Sequence, residues 1–500
     1  MTKYFNRAQM TTTTTGTGTV TLGSASSGYN TFATAGVANN DVVNYLIKDG
    51  TAWEIGIGTY TTAGTTLSRA LVESSTGSLL NLSGAATVAI IIDANAFNRI
   101  PLSVPAGRLT PTTGTPVIST GVTGQTTIYY TPYNGNTVPI PDAAGNWNTR
   151  TFTELSQTTT DNTKSPAACG AFACYDMFVW DDAGTLRCTR GPAWTQAQTF
   201  TVTIASPAVF SLTSHGFYEG QPLVFSTTGA LPTGLTAGTV YYVISAGLTA
   251  NAFEVSTSVG GSAVNTSGSQ SGTHTATQNL TVRGTGAGTS QLTRNTNGFY
   301  TNTVAITNGP GAGLGVYVGT ICTNSSSQVD YIIGGTGAAG GESTFLGVWN
   351  MYNRVRTKLV NFDNTNSWNY TSLTYRIKNN NPNNRISFVV GLKEISVNAR
   401  SSIVVANSTS NIGRSTALAV NSMVSWALGY SSTGYCNGGG GGEGALSVAM
   451  ASYMPAIGLS YVCPLESSGA TGTCTWYGDN GATAGTDFKE VACFFVDIDA

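Results

Sequence analysis

Charge is scarce in this chain. Asp, Glu, Lys and Arg make up 9 % of its 500 residues, against about 25 % in an average soluble domain. The 22 basic and 24 acidic residues give a formal net charge of −2, and no basic stripe stands out. Binding of nucleic acid through phosphate contacts is therefore not expected. Histidine is rarer still, with two in the whole chain. No cysteine pair has zinc-ligand spacing, so no metal site and no cofactor is expected. Long apolar runs are also missing. The longest, residues 88–92, has the length of a short strand, far from that of a membrane span. The first residues, Met1-Thr2-Lys3-Tyr4-Phe5-Asn6-Arg7, have a basic touch but no apolar stretch behind them, so no signal peptide is expected.

What fills the space is Gly, Thr, Ser and Asn around a hydrophobic content of 41 %. A disordered chain would be apolar-poor and highly charged. This composition instead describes β-structure whose wet faces carry Thr, Ser and Asn. The fold class expected is mainly β and multi-module, because 500 residues exceed one ordinary domain. Weak charge also does little to keep copies apart, which favours oligomer contacts.

The first module, 1–104, opens on a threonine run and then alternates, with Val20 and Leu22 on one face and Thr19 and Thr21 on the other. Asp49-Gly50 marks a hairpin. Hydrophobic pairing selects a three-residue loop, Asp49-Gly50-Thr51, which sets Lys48 against Ala52, Ile47 against Trp53, Tyr45 against Ile55 and Val43 against Ile57. Residues 100–114, with Pro101, Pro105, Gly107 and Pro111, read as a linker. Asp181-Asp182-Ala183-Gly184 reads as a hairpin turn, where Asp is at home. Segment 199–282 has no cysteine or tryptophan and holds both histidines, His215 and His274. It is expected to be a small β-barrel inserted into a larger domain made of 105–198 and 283–500. Residues 345–359 are expected to be helical, since Phe345, Trp349, Tyr352, Val355 and Leu359 recur at three- and four-residue steps. Strands are expected to dominate from there on, in a jelly-roll-like β-sandwich body. Gly438-Gly439-Gly440-Gly441-Gly442 reads as a loop tip or a point of close backbone approach.

Three strings carry a resemblance. The Thr/Gly opening, Gly28-Tyr29-Asn30-Thr31-Phe32, Asp49-Gly50-Thr51-Ala52-Trp53-Glu54-Ile55-Gly56-Ile57-Gly58-Thr59-Tyr60, Leu67-Ser68-Arg69 and Val88-Ala89-Ile90-Ile91-Ile92 resemble the module that begins many tailed-bacteriophage virion proteins. Ser214-His215-Gly216-Phe217, Leu231-Pro232-Thr233-Gly234-Leu235, Val240-Tyr241-Tyr242-Val243 and Phe253-Glu254-Val255 are similar to a small barrel module of phage tail and fibre proteins. That module is likened to the half-domain around the catalytic cysteine of ubiquitin-activating enzyme. No cysteine lies in this stretch, so a barrel without ubiquitin chemistry is implied. A Trp/Tyr/Arg segment, a run of strands and Thr475-Trp476-Tyr477-Gly478-Asp479-Asn480-Gly481 look like the body domain of related virion proteins. The resemblance implies a non-enzymatic virion structural protein, assembled in the host cytoplasm and displayed on the particle surface as a fibre, collar or decoration element. It implies other virion proteins (capsid, collar or tail) as partners, and a homotrimer. The alternative is a receptor-binding or polysaccharide-cleaving tail protein that contacts a host surface glycan.

Candidate chemistry is thin. No Gly-x-Ser-x-Gly elbow is present. Glu342, Asp363, Glu394 and Asp479 form the carboxylate pool for a glycosidase. Asp479-Asn480-Gly481 reads as a turn, because calcium-loop spacing is missing. Trp349, Trp368, Tyr370, Trp426, Trp476 and Tyr477 are candidates for a sugar-stacking face, or else core and interface filling. Cys463 and Cys474 are a candidate disulfide pair across a hairpin centred on Ser468-Gly469. Buried free thiols are the other reading, since assembly takes place in a reducing compartment.

Overall fold

The computed structural model describes residues 3–92, 103–283, 291–334, 339–342, 344–409, 412–426, 434–437 (backbone only), 444–478 and 492–500. Among these are forty strands and a single helical element, the three-residue 3-10 turn Lys378–Asn380. The chain is mainly β. It divides into two units, Met1–Leu102 with Asp142–Asn148, and Ser103–Pro141 with Thr149–Ala500.

The first unit is built on a seven-stranded sheet. Its order is Gln9–Thr12, Ala86–Ile90, Val42–Asp49, Ala52–Thr61, Thr66–Leu67 and Val20–Thr21, with Ala70–Ser74 also paired to Ala52–Thr61. Val20, Phe32, Val43, Tyr45, Ile47, Leu67 and Val88 fill its core. The central hairpin differs from the register expected. Asp49 pairs with Ala52, Lys48 with Trp53, Ile47 with Glu54 and Tyr45 with Gly56, so the loop is Gly50-Thr51. This turns the second strand over. Glu54, Gly56, Gly58 and Tyr60 face inward, and Trp53, Ile55 and Ile57 are only half-buried. Two facts decide the register. Glu54 accepts from the Tyr45 hydroxyl at 2.7 Å, and Gly56 leaves room for that ring, since a Cβ there would lie 2.3 Å from the hydroxyl oxygen.

The second unit contains a closed six-stranded barrel. Gln196–Val202 pairs with Phe210–Ser211 and His274–Gln278, and Ala252–Ser256, Val240–Ile244 and Pro222–Thr227 complete the ring. Phe200, Phe210, Phe225, Tyr241 and Phe253 stack through its centre, with ring centroids 5.0–5.4 Å apart. Gln196 is paired with Gln278, so the chain enters and leaves the barrel side by side.

The same unit holds the larger sheets. One runs Thr185–Ala193, Cys174–Asp182, Val316–Cys322, Tyr300–Asn302 and Leu292–Arg294, with Val348–Asn350 paired to Val316–Cys322. An eight-stranded sheet contains Ile386–Val390, Gly458–Ser468 and Gly413–Val420. A six-stranded sheet contains Arg356–Phe362, Cys493–Asp499 and Val397–Asn407. The last two sheets are bonded to one another, with Arg414 Nη1 donating to the Val405 carbonyl at 2.8 Å.

The expected helix at 345–359 is absent. Thr344–Leu346, Val348–Asn350 and Arg356–Phe362 are strands joined by turns. Trp349 and Leu359 are buried all the same, because a core needs apolar faces in either conformation. Asparagine overrides the periodicity. Asn350 binds the backbone of Leu109 through both ends of its amide, at 2.6 and 3.2 Å. Asn353 takes a positive φ of 55° and donates to the Pro105 and Gly107 carbonyls. Asn, Thr, Val and Tyr are also weak helix formers. The run Gly438-Gly439-Gly440-Gly441-Gly442 and the turn Asp479-Asn480-Gly481 lie outside the described residues.

Candidate functional site

Each carboxylate of the candidate pool has its own place. Glu342 is exposed. Glu394 is exposed and pairs with Arg354 at 3.0 Å. Asp479 lies outside the described residues. Asp363 is fully buried. It accepts from the Gly340 and Thr365 amides and from the side chains of Asn379 and Asn384, at 2.8–3.0 Å. Burial pushes its pKa up, but the bonds from Asn384, Thr365 and Asn379 outweigh that and hold it below the usual carboxylate value. Both oxygens are engaged in tying loops together. At the 181–184 turn, Asp181 accepts from the Gly184 amide at 2.6 Å, and Asp182 pairs with Lys164 and Arg187. That is turn chemistry.

The six aromatic residues do not form an open stacking face. Trp349 and Trp476 are fully buried; Trp368, Tyr370, Trp426 and Tyr477 are half-buried. Trp476 donates to the Tyr370 carbonyl at 3.1 Å. Both histidines are buried in the barrel wall. His215 Nδ1 accepts from the Phe217 amide at 2.9 Å. His274 meets Thr227 and Gln270 at 2.8 and 3.0 Å. Among the described residues, no three His, Cys, Asp or Glu side chains gather as a metal site. A groove of about 340 Å³ lies against Arg400, Met450 and Phe495, and Glu342, Asp363 and Glu394 do not line it.

The hairpin expected between Cys463 and Cys474 does not form. Cys463 sits in the eight-stranded sheet opposite Ala419. Cys474 sits in the six-stranded sheet opposite Asn407. Gly458–Ser468 is strand up to Ser468 and pairs there with Arg414, not with the Cys474 strand. Both are buried free thiols, and burial pushes the Cys463 thiol well up.

Sequence reasoning missed a buried cluster of perturbed titratable groups. Glu466 is buried, and accepts from Trp368 Nε1 at 2.7 Å and from Arg376 Nε at 2.8 Å. The Arg376 guanidinium lies 3.7 Å from the centre of the Tyr370 ring. Lys378, also buried, stands 5.8 Å from the Trp368 ring. Burial pushes Glu466 up to about 7 against the pull of Arg376 and Trp368. Burial pushes Lys378 down to about 8 against Asp363 and Glu466. The signal in the sequence was a lone acid inside an otherwise uncharged eleven-residue stretch, Gly458–Ser468.

A pH dependence follows. Glu466 binds its proton more tightly folded than unfolded. Its contribution is fully present below pH 4.5 and is lost as pH rises through about 7. Across that window the loss is about 3 kcal/mol. Urea unfolding of the wild type and Glu466→Gln at pH 4.5 and pH 8 checks it. The stability difference between the two proteins is expected to move by this amount in favour of the variant at pH 8; a constant difference contradicts it.

The arrangement is therefore a set of buried polar clamps. The chain matches no protein-family model, and no curated protein matches it.

Proposed function

We propose that this chain is a non-enzymatic structural protein of a tailed-phage particle, displayed on the particle surface as a fibre, collar or decoration element. The observation that carries this reading is where the scarce charge is placed. Glu54, Arg69, Asp176, Arg190, Asp363, Arg414 and Glu466 are buried. Arg190, for example, donates to the carbonyls of Thr158, Asp161 and Ala167. Charges so placed fix loops and strand ends, and the remaining charges are spread thinly over a surface rich in Thr, Ser, Asn and Gly. Such a surface suits contact with neighbouring virion proteins. The sequence resemblance points the same way.

The test is fractionation. Tailed particles are banded on a density gradient and their proteins are quantified by mass spectrometry. The chain is expected in the particle band at a fixed copy number. Recovery only in the soluble fraction contradicts the proposal. Light scattering of the extracted protein is expected to give three times the chain mass of 51.6 kDa, in keeping with cyclic closure of a homotrimer. Clearing of a host polysaccharide by the same preparation moves the assignment to a depolymerising tail protein.

A further inference from the structure

Two cysteines outside the expected pair face each other. Cys174 opens the strand Cys174–Asp182, and Cys322 ends the strand Val316–Cys322. The strands are antiparallel, and these two residues are register partners. Their backbone bonds go elsewhere. The Cys174 amide donates to Asn279 and the Cys322 amide to Gly347, while the next pair out is closed by Thr323 donating to the Ala173 carbonyl. Cys174 and Cys322 therefore occupy a non-hydrogen-bonded position. There the Cα atoms of an antiparallel pair stand about 4.5 Å apart and the side chains are at their closest. A disulfide takes Cα separations of about 4.4–6.8 Å. Both side chains are fully buried. After burial, the neighbouring Cys322 thiol is the main reason that Cys174 holds its proton so tightly.

We propose that Cys174 and Cys322 form a cross-strand disulfide when the chain meets a low-molecular-weight disulfide. In the first step the thiolate of one cysteine attacks a sulfur of the oxidant. An S–S bond to the protein forms, the oxidant's own S–S bond breaks, and one small thiolate leaves and is protonated. The second cysteine then attacks the protein-bound sulfur and releases the second small thiol. The protein loses two protons and two electrons, and the oxidant becomes two thiols.

Position explains what the bond does. Both residues are at strand ends, where opening is easiest. The bond closes a loop over residues 175–321, which contains the entire barrel. Oxidation thus staples the two strands that precede and follow the barrel in the chain. Burial makes the reduced pair slow to react, so exchange runs through local opening or during folding. None of this depends on the particle role proposed above.

The test uses the full-length chain. It is refolded from urea in a glutathione buffer, either reduced or oxidised, and a native sample is held in oxidised glutathione without unfolding. Free thiols are alkylated under denaturing conditions, and non-reduced peptides are mapped. The expected product of the oxidised samples is one Cys174–Cys322 linked peptide, lighter by about 2 Da than its two thiol parents and lost on reduction. The thermal midpoint rises on oxidation in the wild type but not in Cys174→Ala or Cys322→Ala. Alkylation of both cysteines in every oxidised sample overturns the proposal. So does capture of either one by Cys169, Cys188 or another cysteine.

Discussion

Arg69→Ala is expected to lower the opening free energy of the amino-terminal hairpin by about 3–5 kcal/mol. Arg69 and Glu54 have side chains 1 % and 0 % exposed. Glu54 receives two bonds from Arg69, one from the Leu80 amide and one from Tyr45. Arg69 also donates to the carbonyls of Gly16, Gly18 and Leu80. Removing the guanidinium leaves a buried carboxylate short of partners and three carbonyls without their donor. The cost comes from the stranded charge, so the double change Glu54→Gln with Arg69→Met is expected to recover much of the loss. Hydrogen exchange of the full chain, read at the amides of Val42–Asp49 and Ala52–Thr61, measures both. Equal losses in the single and double variants would show that packing, and not charge, sets the effect.

Arg283→Ala is expected to cost as much, in the second unit. Arg283 follows the barrel and Trp194 precedes it. The guanidinium lies 4.4 Å from the centre of the Trp194 ring. It grips both oxygens of the buried Asp176, at 2.7 and 3.1 Å, and donates to the Gly391 carbonyl at 2.6 Å. Thr320 bonds the same carboxylate, and Tyr317 bonds Thr320. One side chain therefore ties the exit of the barrel to its entry and to the strand that carries Asp176. Its loss strands Asp176, for about 3–5 kcal/mol, and removes a cation–π contact of about 1 kcal/mol. Arg283→Lys keeps the charge but not the two-pronged bond, so its deficit should be intermediate. Protease nicking near residues 195 and 280 is expected to rise in both variants. The barrel itself should keep its exchange protection, because its aromatic core does not include Arg283. Unchanged nicking contradicts the clamp.

Local alternation and turn chemistry made a number of strands legible. Val20 and Leu22 are buried as their alternation demands, and Thr21 is exposed. The barrel strands at Pro222–Thr227, Val240–Ile244 and Ala252–Ser256 fall where their β-branched and aromatic residues cluster. Its last strand, His274–Gln278, was illegible because His-Thr-Ala-Thr-Gln carries no large apolar residue. The helix at 345–359 failed because Asn350 and Asn353 bond to backbone over 240 residues away in sequence, which periodicity does not record. The hairpin register failed for a related reason. Hydrophobic pairing does not register that Glu54 is buried by its bonds to Arg69 and Tyr45. The cysteines show the same limit: nearness in sequence suggested Cys463 with Cys474, whereas sheet pairing opposes Cys174 and Cys322 across 148 positions.

The central claim is that this chain is a building element of a phage particle, and a cryo-EM map of the particle tests it most directly. The map is expected to show surface density, repeated with cyclic symmetry, into which the closed barrel and the body sheets fit as described. A fully assigned particle map with no density left for this chain would contradict the account.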